Sequence, residues 1–114
     1  MCRWYSGKAL YLHTPVFTVI SLKTYRIGMS KILIIDDEVQ IRTLLTRMME
    51  LEGYDVCQAG DCRAALKQLE LQHPDVALCD VFLPDGTGVD LVLAINKAAP
   101  NVECIVRTAP VKTP

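Results

Sequence analysis

From Ser30 onward the chain alternates short apolar runs with stretches in which apolar residues recur three and four positions apart, and turn-forming residues separate them. No other feature narrows the fold as much. Strands that alternate with helices along one chain must be joined by crossovers, which predicts an α/β fold with a doubly wound parallel sheet covered by helices. "KILII" (31–35) is an unbroken run of β-branched residues and leucine, suited to a central strand buried on both faces. Residues 38–52 carry Ile41, Leu44, Leu45, Met48 and Leu51 on one predicted helical stripe, and Gly53 stops it. "YDVCQA" (54–59) reads as a second strand, Asp61 as an N-cap, and "CRAALKQLELQ" as a second helix ending before His73-Pro74. "DVALC" (75–79) is a third strand. Val89 to Lys97 forms a third helix opened by Gly88, and "VECIV" (102–106) a fourth strand ending near Thr108.

In doubly wound sheets, ligands bind beyond the carboxyl ends of the strands. Strand one ends at Asp36-Asp37, strand three at Asp80 and strand four at Thr108. If strands one and three are neighbours, three carboxylates converge at one edge beside a hydroxyl. Like charges that close destabilise one another unless a cation sits among them. Oxygen-only ligands suit magnesium, which is held by one or two carboxylates and keeps positions open for water and phosphate oxygens. A carboxylate can then serve as a nucleophile toward phosphorus, with Thr108 donating to a phosphoryl oxygen. Pro84, Gly86 and Gly88 bend the following loop back toward the site. Taken singly, Asp36 and Asp37 are ordinary helix-capping residues, Asp80 a turn former and Thr108 a strand end. Their convergence favours chemistry.

Composition separates two parts. The net charge of −1 splits into +4 over residues 1–28, from Arg3, Lys8, Lys23 and Arg26, and −5 beyond. Trp4, Tyr5, Tyr11, Phe17 and Tyr25 also lie in the first part, so a basic aromatic leader precedes an acidic domain starting near Met29. The leader's apolar run "ALYLHTPVFTVISL" is interrupted by His13 and Pro15 and is too short for a membrane span. We expect it to be disordered or a misassigned start; the alternative is that "VFTVISL" (16–22) adds a strand and covers an open edge. Cys2, Cys57, Cys62, Cys79 and Cys104 are odd in number and form no CxxC pair, which points to reduced thiols and a cytoplasmic protein. Nothing in the acidic part suggests direct nucleic-acid or membrane binding.

"KILIIDDE", "DVALCDVFLPDGTGVDL" and "IVRTA" together resemble the receiver domain of two-component response regulators, over Met29 to about Ala109. The resemblance implies a flavodoxin-like sheet of strand order 2-1-3-4. It implies that Asp80 accepts the phosphoryl group and that Mg2+ is bound by Asp36, Asp37, Asp80 and the main-chain carbonyl of Phe82. It makes Thr108 the switch hydroxyl. The expected donor is a sensor histidine kinase or phosphotransfer protein, and the chain itself is a switch rather than an enzyme. Receivers continue past the switch threonine with a further helix, a fifth strand bearing an invariant lysine, and a last helix. Lys112 follows Thr108 too closely to fill that lysine's place, so residues 29–114 read as a C-terminally incomplete receiver. The fourth strand is then expected to be an open edge that invites association, a homodimer included. The alternative is a degenerate receiver that acts as a phosphorylation-independent interaction module. An aspartate-nucleophile phosphatase is disfavoured because those enzymes share a DxD motif and Val81-Phe82 follow Asp80.

Overall fold

A computed structural model describes residues 9–10, as backbone, and residues 30–107. The strands are β1 (Ala9–Leu10), β2 (Lys31–Ile35), β3 (Asp55–Ala59), β4 (Val76–Asp80), β5 (Phe82–Leu83), β6 (Gly86–Thr87) and β7 (Glu103–Arg107). Between them run α1 (Val39–Leu51), α2 (Cys62–Gln72) and α3 (Gly88–Ala98). Five strands form one sheet in the order β1-β7-β4-β2-β3, and every pair in it is parallel. The four longer strands therefore take the expected 2-1-3-4 arrangement. The central strands β2 and β4 are buried along nearly their whole length, as their unbroken apolar runs require.

Alternation along each strand sorts the core into two clusters, one on each face of the sheet. Ile32, Ile34, Val76, Leu78 and Ile105 pack with Met49 of α1. Leu33, Ile35, Ala77, Cys79, Cys104 and Val106 face the other way, against Ala65 and Leu69 of α2 and Leu91, Val92 and Ile95 of α3. Helices thus cover both faces. Among the described residues, no helix is long and apolar enough to cross a membrane.

The helix ends obey local chemistry. Asp61 accepts a hydrogen bond from the Ala64 N–H at 2.7 Å and caps α2. Gly53 follows α1 with φ 96°, a left-handed conformation that glycine adopts without cost. The buried face of α1, however, is turned away from the predicted stripe. Thr46 and Met49 are buried, whereas Leu44 and Leu51 are 59% and 85% exposed. Arg42 explains the rotation: its guanidinium donates to the Asp36 carbonyl at 2.6 Å and to Gln58 Oε1 at 3.0 Å. Placing position 42 over the carboxyl edge of the sheet brings 45, 46 and 49 inward, three, four and seven residues on.

Three further differences from the predicted layout concern short elements. Asp80 lies within β4 rather than just beyond it. The segment read as a loop after it contains a small antiparallel hairpin, with Phe82 paired to Thr87 and Leu83 to Gly86. The edge of β7 expected to stay open is paired in parallel with β1, Ala9 to Cys104 and Leu10 to Ile105. The suggested strand at 16–22 lies outside the described residues.

Candidate functional site

Register brings the charged residues into line. Ile35 pairs with Cys79, so Asp36 lies one step on, beside Asp80, and Asp80 in turn pairs with Arg107. By alternation all three side chains share the α1 face of the sheet with Ile34, Leu78 and Ile105. Asp36 and Asp80 are buried, at 1% and 4% exposure, and Asp37 is exposed next to them. Carboxylate oxygens of Asp36, Asp37 and Asp80 all lie within 4.8 Å of one another. The convergence expected from the sequence is therefore present. Phe82 opens β5 with its side chain 73% exposed, so any part it plays in the site falls to its main chain. Thr108 and Lys112 lie outside the described residues.

Asp36 is held from several sides. Its N–H donates to the Ala59 carbonyl at 3.1 Å, and its Oδ1 accepts from the Glu38 N–H at 2.9 Å. Its Oδ2 pairs with the Arg107 guanidinium, which also stands 3.9 Å from Asp80 Oδ2. Sequence reasoning assigned Arg107 no role. The sequence carries part of the signal, the alternation that puts Glu103, Ile105 and Arg107 of "ECIVR" on one face, but the register that sets Arg107 level with Asp80 comes from the sheet.

The three carboxylates gathered at this edge outnumber the guanidiniums of Arg107 and Arg42 that stand beside them, so negative charge is in excess there. The donors are all oxygen, and their spacing lets a single small ion touch each of them. The residues present therefore fit a divalent cation of the magnesium type.

The loop beyond Asp80 is tied back to the strands. Gly88 N–H donates to the Val81 carbonyl at 2.6 Å, and Val81 N–H donates to the Arg107 carbonyl at 3.3 Å. A Cβ on Gly88 would lie 2.3 Å from the Asp80 carbonyl oxygen, a separation only glycine permits. Thr87 caps α3 by accepting from Asp90 N–H at 3.1 Å. At the hairpin turn, Asp85 accepts from the N–H groups of Cys62 at 2.8 Å and Arg63 at 3.1 Å, which joins the acceptor loop to the N-terminus of α2.

The Cys62 N–H holds the Asp85 carboxyl below its ordinary value, with the Arg63 N–H adding to the effect. The folded chain binds this proton less tightly than the unfolded chain does. Its contribution is thus present above the ordinary carboxylate pKa and lost as pH falls through the lowered one. Asp85→Ala should lower the melting temperature at neutral pH, and the gap to the parent should narrow as thermal unfolding is followed to pH values below the ordinary carboxylate range. A gap independent of pH would remove Asp85 from this role.

Cys57, Cys62 and Cys79 carry free thiols. Burial, followed by the neighbouring Asp85, pushes Cys62 up to about 11, and burial likewise raises Cys57 and Cys79. These groups stay protonated and unreactive near neutral pH.

A parallel sheet that gathers buried carboxylates at its carboxyl edge, under a loop that glycine draws close to the central strand, has the layout of a receiver. The profile of the response regulator receiver domain matches residues 32–114, and the chain belongs to this family. It is 46% identical over 61 residues to the alkaline phosphatase synthesis transcriptional regulatory protein PhoP of Bacillus subtilis, covering 54% of this chain and 25% of that protein. Among solved structures, the response regulator protein TrrA from Thermotoga maritima in complex with Mg(2+)-BeF superimposes with a TM-score of 0.66 at 28% identity, covering 75% of this chain and 76% of that one. A structure of histidine kinase ThkA in complex with TrrA matches with a TM-score of 0.67 at 32% identity, covering 71% of this chain and 70% of that one. The flavodoxin-like α/β fold is thereby established. The chain spans between 25% and 33% of the length of the first curated relatives it matches.

Proposed function

We propose that this chain is a phosphorylation switch in which Asp80 receives a phosphoryl group from the phosphohistidine of a sensor histidine kinase or a phosphotransfer protein. The observation that carries this reading is the meeting of Asp36, Asp37 and Asp80 at the carboxyl edge of β2 and β4. An Asp80 carboxylate oxygen attacks phosphorus, the P–N bond to the donor imidazole breaks, and an acyl phosphate forms. The imidazole leaves with the electron pair and takes a proton from solvent. Asp36, Asp37, Asp80 and the main-chain carbonyl of Phe82 would hold Mg2+, which neutralises charge on the transferring phosphoryl oxygens. Thr108 would follow β7 directly and donate a hydrogen bond to one of those oxygens. Burial of Asp80 limits the access of competing water to the carboxylate. The existence of a kinase complex for the related TrrA supports a kinase as partner. The free thiols of Cys57, Cys62 and Cys79 and the two-component setting support a cytoplasmic location. The chain's own chemistry ends with accepting and slowly losing the group.

The test is intact-mass spectrometry after incubation with acetyl phosphate, with Mg2+ or with EDTA, followed by peptide mapping. A gain of one phosphoryl mass that requires Mg2+ and maps to Asp80 is the expected result. No gain in a chain with a native circular dichroism spectrum would overturn the switch and leave an interaction module.

A further inference from the structure

Both oxygens of Asp36 are engaged within the chain. Oδ1 accepts from the Glu38 N–H at 2.9 Å, and Oδ2 carries the Arg107 guanidinium. Any cation that takes Asp36 must share or break one of these contacts. The hydrogen bond that the Glu38 N–H donates to Oδ1 is fixed by the backbone turn after β2, whereas Arg107 holds Oδ2 by a flexible side chain. Arg107 is the contact that yields.

We infer that Arg107 is a built-in counter-ion that occupies the acidic edge before a divalent cation does and competes with that cation for Asp36, setting how much of it the site needs. The inference deepens the proposed reading of this site and rests on its being a divalent-cation site. Three observations support it beyond the charge of the residue. Arg107 stands level with Asp80 by strand register, so the backbone delivers it to the carboxylates. Its side chain is 11% exposed and Asp36 is 1% exposed, so the pair differs from exposed ion pairs, which contribute little. Its guanidinium also lies 3.9 Å from Asp80 Oδ2, placing one positive charge between two of the three carboxylates a metal would use.

The direction is testable because the opposite role predicts the opposite sign. If Arg107 only organised the carboxylates for the metal, its loss would weaken metal binding. As a competitor, its loss strengthens binding. The probe is Mn2+, titrated into the purified chain and followed by electron paramagnetic resonance, with thermal unfolding in EDTA and in saturating Mg2+ alongside. Arg107→Gln should bind Mn2+ at least about tenfold more tightly than the parent, the least that losing one charge-assisted contact to Asp36 implies. It should melt below the parent in EDTA, with much of the difference recovered in Mg2+. An Arg107→Gln chain that is folded and binds Mn2+ no more tightly than the parent would overturn the inference. If that variant folds only with metal, the ion has replaced the guanidinium, as expected. If it does not fold at all, Arg107→Lys decides, since a lysine keeps the charge and loses the planar fork. It should still bind Mn2+ a few-fold more tightly, and equal or weaker binding overturns the inference. Absence of Mn2+ binding by every form would overturn the divalent-cation reading and this inference with it, whereas equal binding by all forms overturns the role of Arg107 alone.

Discussion

Asp80→Asn should fold normally and gain no phosphoryl mass from acetyl phosphate above background. The substitution keeps the shape of a side chain that is 4% exposed at the end of β4, so packing against its neighbours survives. It removes the nucleophile, because an amide oxygen in place of a carboxylate does not form an acyl phosphate. It also removes one of three negative charges whose oxygens lie within 4.8 Å of one another, which relieves repulsion with Asp36. The metal-free melting temperature should therefore not fall below that of the parent by more than a few degrees. Intact mass and thermal unfolding on the same sample check both halves. A normal phosphoryl gain in this variant would place the acceptor elsewhere and sink the assignment of Asp80.

Gly88→Ala should damage both the fold and the acceptor, although alanine is the better helix former. In an exposed helix the exchange favours alanine by about 1 kcal/mol. Here the added carbon would sit 2.3 Å from the Asp80 carbonyl oxygen and 3.0 Å from the Val81 Cα, well inside ordinary contact. These are backbone atoms and have no rotamer through which to escape. Either α3 lifts from β4 or the Asp80–Val81 peptide moves, and overpacking of this kind costs roughly 1–3 kcal/mol or more. We expect a net loss of about 2 kcal/mol, read as a fall in melting temperature on the order of 10 °C. A displacement of the acceptor by ~1 Å should slow phosphorylation by about a hundredfold at temperatures where both chains are folded. A variant that melts with the parent and is phosphorylated at the same rate would show that the contact relaxes freely.

What the sequence disclosed follows the length of each signal. β2, β3, β4 and β7 were legible because each carries five residues of apolar or alternating character, and their order followed from the receiver pattern. The hairpin β5–β6 was not, since two-residue strands are too short to show a period. Hydrophobicity alone placed α1 with Leu44 and Leu51 inward. The observed rotation goes with where Arg42 finds acceptors, the carbonyl of Asp36 just after β2 and the side chain of Gln58 in β3, and a hydrophobic pattern carries no information about either. Asp36, Asp37 and Asp80 were found because strand ends in doubly wound sheets are where sites form. Arg107 was passed over because the fourth strand was read as ending at Val106, one residue short of its observed end. Only the register with Asp80 turns it into the site.

The pairing of β1 with β7 sets an order of events during synthesis. Ala9 and Leu10 are made early, yet their partners Cys104 and Ile105 lie nearly the whole sequence away. Contacts so distant are slow to form, because the intervening chain must be arranged before the ends meet. The β2–β3 ladder can close as soon as α1 has emerged, and β4 then adds beside β2. On a ribosome the sheet would therefore grow outward from β2, exposing in turn the edges of β4 and β7. β1, although made before the strands it joins, would be the last of them to dock.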